Sequence, residues 1–234
     1  MSTSTEPYLV LWDIDKTLVD IGTVSRMIYA EAFEAVTGQA LEHMPNMAGR
    51  TDHDITLAAL RQHNVPEPES HLPRFYDALA AATRAWQDEI RRKGRRLPGA
   101  LEAVSALDLP GVVQTVVTGN IRRTAEIKLA AFGLAEHIDF AIGGYGSDDG
   151  ERPTLVRLAR QRAARKHGEI PARHVVVIGD TVNDIAGARA NGVLAIGVGT
   201  GAASLTELQA AGADAVLPSL ADPELVRLVL GGAG

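Results

Sequence analysis

Two carboxylates near the start of the chain are the first residues whose types and spacing could do chemistry. Asp13 and Asp15 come directly after the apolar run 8–12. A continuous apolar run predicts a parallel strand buried on both faces, and open α/β sheets bind ligands beyond the carboxyl ends of their strands. Two carboxylates in that place suit a divalent cation and a phosphoryl group. A solvated turn in which they only cap the next helix is the simpler alternative.

A second acidic pair follows another apolar run. Residues 174–179 predict a buried strand that ends at Gly179, and Asp180 and Asp184 come after it. If a helix begins near Asn183, the two carboxylates lie on the same side of its first turn. Mg²⁺ prefers hard oxygen ligands and keeps several waters, so Asp13, Asp180 and one backbone carbonyl could hold it.

The third polar run is Thr118-Gly119-Asn120, after the apolar stretch 112–118. A helical pattern over 121–132 follows it. The backbone N–H groups of Gly119 and Asn120, with the Thr118 hydroxyl, would form an anion pocket at a helix start. Taken alone, this run is weak evidence and fits a plain turn with a helix cap better.

In order and spacing, the three runs resemble the motifs of the haloacid dehalogenase-like hydrolase superfamily, and the resemblance covers nearly the whole chain. The matching positions are Asp13, Asp15 and Thr17 for the first motif, Thr118 for the second, and Gly179, Asp180 and Asp184 for the fourth. Within the superfamily, the chain resembles phosphoglycolate phosphatases with a type one, helical cap. The motifs specify the superfamily and leave the substrate open.

The resemblance implies phosphoryl transfer through an aspartyl-phosphate. Asp13 is then the nucleophile, and Asp15 protonates the leaving oxygen and later activates water. Mg²⁺ is the implied cofactor. Its implied ligands are the Asp13 and Asp180 carboxylates and the Asp15 carbonyl, and Asp184 orients Asp180 or a metal-bound water. Thr17 orients the loop, while the hydroxyl and amides of the Thr118 run hold the transferring group.

The third motif of the superfamily is a cation beside the nucleophile, and two residues could supply it. Arg152 precedes Pro153 and a helical pattern over 154–167, where related phosphatases often carry Lys-Pro. Lys128 lies on the earlier helical pattern, where an exposed lysine is the simpler interpretation. We favour Arg152, whose guanidinium would contact phosphate in bidentate geometry, and keep Lys128 as a substrate-binding alternative.

Alternating patterns predict the fold. Strands are expected at 8–12, 112–118, 138–142, 174–179 and 193–198, with a short one at 214–217, and helical patterns lie between them. This alternation predicts a doubly wound, Rossmann-like parallel sheet. Between the first two strands, residues 22–96 read as helices only, at 23–37, 52–63 and 71–92. We therefore expect an α/β core of residues 1–21 and 97–234 and a small all-helical cap domain of residues 22–96.

Within the expected cap, the segment from Ala48 to Asp54, which contains Gly49-Arg50-Thr51-Asp52, is the one most suited to contact substrate. Thr51 followed by Asp54 is typical of a helix start, which is the structural alternative. Relatives of the resembled type often turn a similar stretch toward the active site. Arg50 could there clamp a phosphate or a carboxylate.

Composition excludes several functional classes. The net charge of −6 argues against a nucleic-acid polymer or an anionic membrane as partner, because such binding needs clustered cations. The basic stretch 91–96 fits the end of a long helix. The histidines show no zinc spacing, no apolar run reaches membrane-spanning length, and no signal peptide is visible. A small phosphorylated metabolite is the expected partner and the cytoplasm the expected compartment, while the oligomeric state stays open.

Alternatives of other kinds remain. A phosphomutase would share all the core residues, and a catalytically silent binding module could use the same fold. Asp15 argues against a hydrolytic dehalogenase, whose first motif lacks the second Asp. A phosphonatase needs a cap lysine for a Schiff base, and Lys93, at the far end of the expected cap, is the only candidate.

Overall fold

A computed structural model describes residues 6–231 of the protein. Its strands are β1 (Tyr8–Trp12), β2 (Val19–Asp20), β3 (Arg95–Arg96), β4 (Val112–Thr118), β5 (Gly144–Tyr145), β6 (Val175–Gly179), β7 (Leu194–Val198) and β8 (Ala215–Leu217). Six of them form one parallel sheet in the order β5-β4-β1-β6-β7-β8, and β2 and β3 form a separate antiparallel ribbon. The three motif-bearing strands, β4, β1 and β6, are therefore adjacent at the centre of the sheet.

Helices connect the strands. The α-helices are α1 (Val24–Thr37), α2 (Asp52–Gln62), α3 (Leu72–Ala85), α4 (Gln87–Lys93), α5 (Ala100–Ala106), α6 (Arg122–Ala131), α7 (Arg152–His167), α8 (Val182–Ala190), α9 (Leu205–Ala210) and α10 (Glu224–Gly231). None of the helices between residues 6 and 231 is long and apolar enough to cross a membrane.

The central strand is buried on both faces, as its apolar run predicts. Val10 and Trp12 point into a core shared with α5, α6 and α10, whereas Leu9 and Leu11 point into a second core shared with α7, α8 and α9. Successive strand side chains alternate between faces, so a run without polar residues fits a sheet that is covered on both sides. The doubly wound parallel core expected from the sequence is confirmed.

The prediction of a strand at 138–142 is wrong. This segment turns, and the short edge strand β5 lies further on, at Gly144–Tyr145. Asp139 causes the turn, because its carboxylate accepts a hydrogen bond from the Ala141 N–H at 3.1 Å and its carbonyl accepts one from the Ile142 N–H. An Asp that bonds the backbone two residues on favours a turn over an extended chain.

Between β2 and β3 the chain is helical. Helices α1 to α4 enclose a third apolar core around Phe33 and Phe75. Ile121, the residue before α6, also packs into this core. The single helix expected over 71–92 is wrong, because the chain breaks at Trp86 between α3 and α4. The β2–β3 ribbon lies at the two ends of this helical segment.

Candidate active site

The first motif forms a tight turn beyond β1. The Lys16 backbone is left-handed (φ 68°), and the Leu18 N–H reaches back to the Ile14 carbonyl, so the chain reverses directly after Asp15. Asp13 stays in line with the strand, because its N–H donates to the Ile178 carbonyl of β6 at 2.9 Å. The turn therefore separates the two carboxylates of the motif and gives them different neighbours.

Asp13 lies in a buried acidic cluster. Carboxylate oxygens of Asp13, Asp180 and Asp184 lie within 4.8 Å of one another, and all three side chains are buried. The Thr17 hydroxyl reaches both Asp13 Oδ2 (3.2 Å) and Asp180 Oδ1 (3.0 Å). Gly201 packs so closely on Asp180 that a Cβ would overlap its carboxylate. The sheet edge thus assembles the acids of the first and fourth motifs.

Burial and the neighbouring carboxylates raise the pKa values of Asp13 and Asp180. Burial is the largest cause of the raised pKa of Asp13, followed by the Asp184 charge, and the Arg152 guanidinium acts in the opposite direction. Burial and then the Asp184 charge raise the pKa of Asp180 to about 7. A cation bound among these carboxylates would stabilise their charged forms.

A hard divalent cation fits this donor set. Asp184 Oδ2 closes a capping box at the start of α8, accepting from the Thr181 N–H at 3.1 Å, and it also accepts from the Thr181 hydroxyl at 2.6 Å. Its Oδ1 is buried and forms no hydrogen bond, and the Arg152 Nε lies 3.3 Å from it. Three buried carboxylates carry more negative charge than this guanidinium offsets, which is costly unless a further cation is bound there, and Mg²⁺ takes such oxygen ligands.

Arg152, the first residue of α7, contacts the same cluster. It is buried, and its Nη1 donates to the Val117 carbonyl at 2.9 Å and lies 3.4 Å from Asp13 Oδ1. Its Nε lies 3.3 Å from Asp184 Oδ1. Helix α7 begins at Arg152, whereas the sequence predicted a start at residue 154, because Pro153 fits the first turn of a helix. Of the two candidate cations, Arg152 is the one that contacts Asp13.

Lys128 is buried as well, which contradicts the simpler interpretation of an exposed helix residue. Its Nζ donates to both carboxylate oxygens of Asp15, at 2.8 and 2.7 Å, and to Asn120 Oδ1 at 2.7 Å. Asn120 Nδ2 donates to the same Asp15 carboxylate at 2.7 Å. Lys128 therefore contacts the second carboxylate of the first motif and Arg152 contacts the first.

The Thr118 run does not match the predicted helix start. Helix α6 begins at Arg122 with Ile121 as its N-cap, and the Asn120 N–H donates to the Thr118 hydroxyl at 3.2 Å. The expectation that the Asn120 amide is free at the helix start is therefore wrong. Gly119 is needed at its position, because a Cβ would overlap the Arg50 carbonyl that packs on it.

A buried carboxylate that sequence reasoning did not single out joins the helical segment to the core. Asp52, the first residue of α2, accepts from the Ile121 N–H at 2.7 Å and from the Tyr29 hydroxyl at 2.5 Å. Its own N–H donates to the Gly119 carbonyl at 2.6 Å. In the sequence, Asp52 resembles only an acid near a helix start, so no signal marked this contact.

The Arg50 segment lies over the site, but the Arg50 guanidinium is bound elsewhere. Its Nη1 and Nη2 donate to the carbonyls of Asn46 and Asp54. The expected helix start is confirmed, because the Thr51 hydroxyl accepts from the Asp54 N–H at 3.2 Å. The preceding loop reaches the core where Asn183 Nδ2 donates to the Gly49 carbonyl at 2.7 Å.

A cavity of about 320 Å³ lies between the sheet edge and the helical segment. Asp13, Asp15, Thr118, Lys128 and Arg152 line one side of it. Helices α1, α2 and α3 line the other. The arrangement gives a buried nucleophile, a carboxylate–cation cluster and a second carboxylate that faces a shared enclosed space.

Comparison with known proteins agrees with this geometry. The sequence profile for haloacid dehalogenase-like hydrolases matches residues 10–189. A phosphoglycolate phosphatase of Agrobacterium fabrum is 27% identical over 81% of this chain and 79% of its own length. A plasmid-encoded phosphoglycolate phosphatase of Cupriavidus necator is 28% identical over 90% and 89%.

Solved structures show the same fold. The crystal structure of a predicted phosphatase from Clostridium acetobutylicum superimposes with a TM-score of 0.68 at 22% identity, over 97% of this chain and all of that one. The profile match covers most of the chain, including the strands that hold the acidic cluster. The protein belongs to the haloacid dehalogenase-like hydrolase family.

Proposed function

We propose that the protein is a Mg²⁺-dependent phosphatase that hydrolyses a small phosphate monoester through an aspartyl-phosphate intermediate. The observation that carries the proposal is the position of the Asp13 carboxylate. It belongs to the acidic cluster with Asp180 and Asp184, contacts the buried guanidinium of Arg152, and lines the cavity below the helical segment. A carboxylate nucleophile for phosphorus needs these neighbours, because the transferring group brings negative charge.

The metal would be held by the Asp13 and Asp180 carboxylates and the Asp15 carbonyl, with Asp184 orienting them. When bound, it would neutralise charge on the phosphoryl oxygens. The cluster of three buried carboxylates and the raised pKa of Asp180 support this assignment.

The remaining catalytic roles belong to side chains of the protein. An Asp13 oxygen forms the new bond to phosphorus as the ester oxygen leaves, and Arg152 with the Thr118 hydroxyl holds the phosphoryl oxygens. Asp15 supplies the proton to the leaving oxygen. In the second step Asp15 takes a proton from water, whose oxygen displaces Asp13 from phosphorus and regenerates the carboxylate.

Asp15 suits this role because it faces the cavity and is firmly placed. Its side chain is 41% exposed, whereas Lys128, which binds both of its oxygens, is buried. We assign Lys128 and Asn120 as positioning residues for Asp15, and Thr17 as a positioning residue for Asp13 and Asp180.

The helical segment is proposed to be a cap domain. Residues 22–96 would form this cap and residues 1–21 and 97–234 the hydrolase core, with the Asp52 contacts joining the two. A cap over the cavity keeps bulk water from the phosphorylated Asp13.

The test is phosphate release from a panel of small phosphate monoesters, with Mg²⁺ or with EDTA. Wild type is expected to release phosphate only with Mg²⁺, and Asp13→Asn is expected to lose activity because an amide cannot act as the nucleophile. Asp108→Asn, at a side chain 66% exposed and remote from the site, is the matched control. Release by Asp13→Asn at the wild-type rate would refute the mechanism. No release from any ester would favour a phosphomutase or a binding module instead.

A further inference from the structure

We infer that the alcohol released by this enzyme is small, uncharged and partly apolar, and that an ester whose leaving group carries a carboxylate is a poor substrate. This inference rests on the proposed phosphatase function and narrows its substrate class. Its support comes from the apolar wall of the cavity, the hydroxyl protons that are already used, the contacts that the lining cations already make within the protein, the charge balance of the lining and the volume of the cavity.

On the side formed by the helical segment and α6, the cavity is lined mainly by buried residues with apolar surface, together with the half-buried Ser25. We call six lining residues the inner wall: Ile28, Tyr29, Ile55, Leu79, Thr83 and Thr124. All six are buried, so a group placed against them is removed from water. Apolar carbon gains from such burial, whereas a charge there needs donors from the protein.

Every hydroxyl of the inner wall already donates its single proton within the protein. Tyr29 donates to Asp52, and Thr83 donates to the Leu79 carbonyl at 2.7 Å. Because the proton of Thr83 is used, the 3.1 Å contact between Thr83 and Thr124 takes the proton of Thr124. The hydroxyls of the inner wall can therefore accept a hydrogen bond but cannot donate one without breaking these contacts.

The cations that line the cavity are also bound. Lys128 uses its three protons on Asp15 and Asn120, and Arg152 lies against the acidic cluster. Lys16 pairs with Asp20 at 2.7 Å, and the Arg50 guanidinium donates to backbone carbonyls.

The charges of the residues that line the cavity also disfavour a second anionic group on the substrate. The described lining residues include five carboxylates, Asp13, Asp15, Asp20, Asp52 and Asp180, against the four cations Lys16, Arg50, Lys128 and Arg152. A divalent metal would offset the charge of the phosphate. A second anionic group placed against the inner wall would meet no hydroxyl proton that is free to bind it, and leaving a buried charge unpaired is costly.

The volume limits the size of the alcohol. A volume of about 320 Å³ is at the lower end of the roughly 300–1,000 Å³ that ligand pockets occupy. Because the phosphate takes part of this space, a small alcohol fits it better than a nucleoside.

Three esters with the same number of non-hydrogen atoms and the same branching test the inference. They are 2-phosphoglycolate, its neutral amide and isobutyl phosphate, which differ only in the charge and polarity of the leaving group. We expect kcat/KM of wild type, with Mg²⁺, to be at least about tenfold higher for isobutyl phosphate and for the amide than for 2-phosphoglycolate. Isothermal calorimetry with Asp13→Asn and Mg²⁺ ranks binding of the three esters without turnover.

The outcomes separate this inference from the proposed function. Mg²⁺-dependent turnover with 2-phosphoglycolate preferred would overturn the inference and leave the phosphatase intact. Loss of that preference in Arg50→Gln would identify the guanidinium as the carboxylate partner. If no ester is turned over and none binds to Asp13→Asn, the inference and the proposed function both fail.

Discussion

The salt bridge between Lys128 and Asp15 joins a buried cation to a partly exposed carboxylate, so removing each partner should lower the free energy of unfolding by a different amount. The Lys128 side chain is 6% exposed and the Asp15 side chain 41% exposed, and their charged atoms are 2.7 Å apart. Removing Asp15 leaves an ammonium in the protein interior, whereas removing Lys128 leaves a carboxylate that water can solvate. We therefore expect Asp15→Ala to cost far more stability than Lys128→Met.

The magnitudes follow from the burial of each partner. Breaking a buried ion pair from one side costs about 3–5 kcal/mol, and an ion pair open to water contributes about 0–1 kcal/mol. Asn120 still accepts from Lys128, so we take the lower limit of about 3 kcal/mol for Asp15→Ala. For Lys128→Met we expect about 1 kcal/mol, because Met fills the space of the lysine stem. The double variant should lose only about 1–2 kcal/mol, since it contains no unpaired ammonium at this position.

Urea unfolding in EDTA at pH 7.5, followed by circular dichroism, measures these free energies of unfolding. Lys166→Met is the matched control, because Lys166 pairs with Asp139 at 2.6 Å with 52% of its side chain exposed. It should change the free energy of unfolding by less than about 1 kcal/mol. Equal costs for Asp15→Ala and Lys128→Met, or a double variant no more stable than Asp15→Ala, would refute the reasoning.

Two further predictions concern the acidic cluster and Asp52. Because burial raises the pKa of Asp13 and Asp180, the folded protein keeps protons that the unfolded chain releases, so the melting temperature in EDTA should fall as pH rises from about 4 to about 7. Mg²⁺ should restore it at pH 8, and a melting temperature that rises over this window in EDTA would contradict the assignment. Asp52→Asn should leave stability within about 0.5 kcal/mol, because its amide oxygen can accept from the Ile121 N–H while its NH₂ donates to Tyr29. Asp52→Ala should cost about 2–4 kcal/mol by leaving both groups unpaired, and equal unfolding midpoints for the two variants would show that these bonds do not hold the helical segment to the core.

The strands and their acidic ends could be predicted from the sequence because their signals are local. An apolar run that stops at Asp13 or at Gly179 shows both the strand and the side of the sheet on which the acids lie. The parallel order then brings the ends of β1 and β6 together without any knowledge of packing. The edge strand β5 was placed wrongly because the Asp139 turn competes with the apolar pattern of the same segment.

The sequence could not predict contacts between side chains that are far apart in the chain. Asp15 and Lys128 are 113 residues apart, and nothing in a helical pattern says whether one lysine on it faces water or a carboxylate. The contact of Asp52 with Ile121 depends on how the helical segment sits on the core, and Asp52 reads in the sequence as a helix start.

The sequence by itself therefore determined the family, the sheet and the identity of the acidic residues, because strand ends and residue types are written in neighbouring positions. The tertiary structure decided which cation contacts which carboxylate and which donors remain for a substrate. Those properties depend on burial and on distances between side chains that are remote in the chain, and only the packed structure sets them.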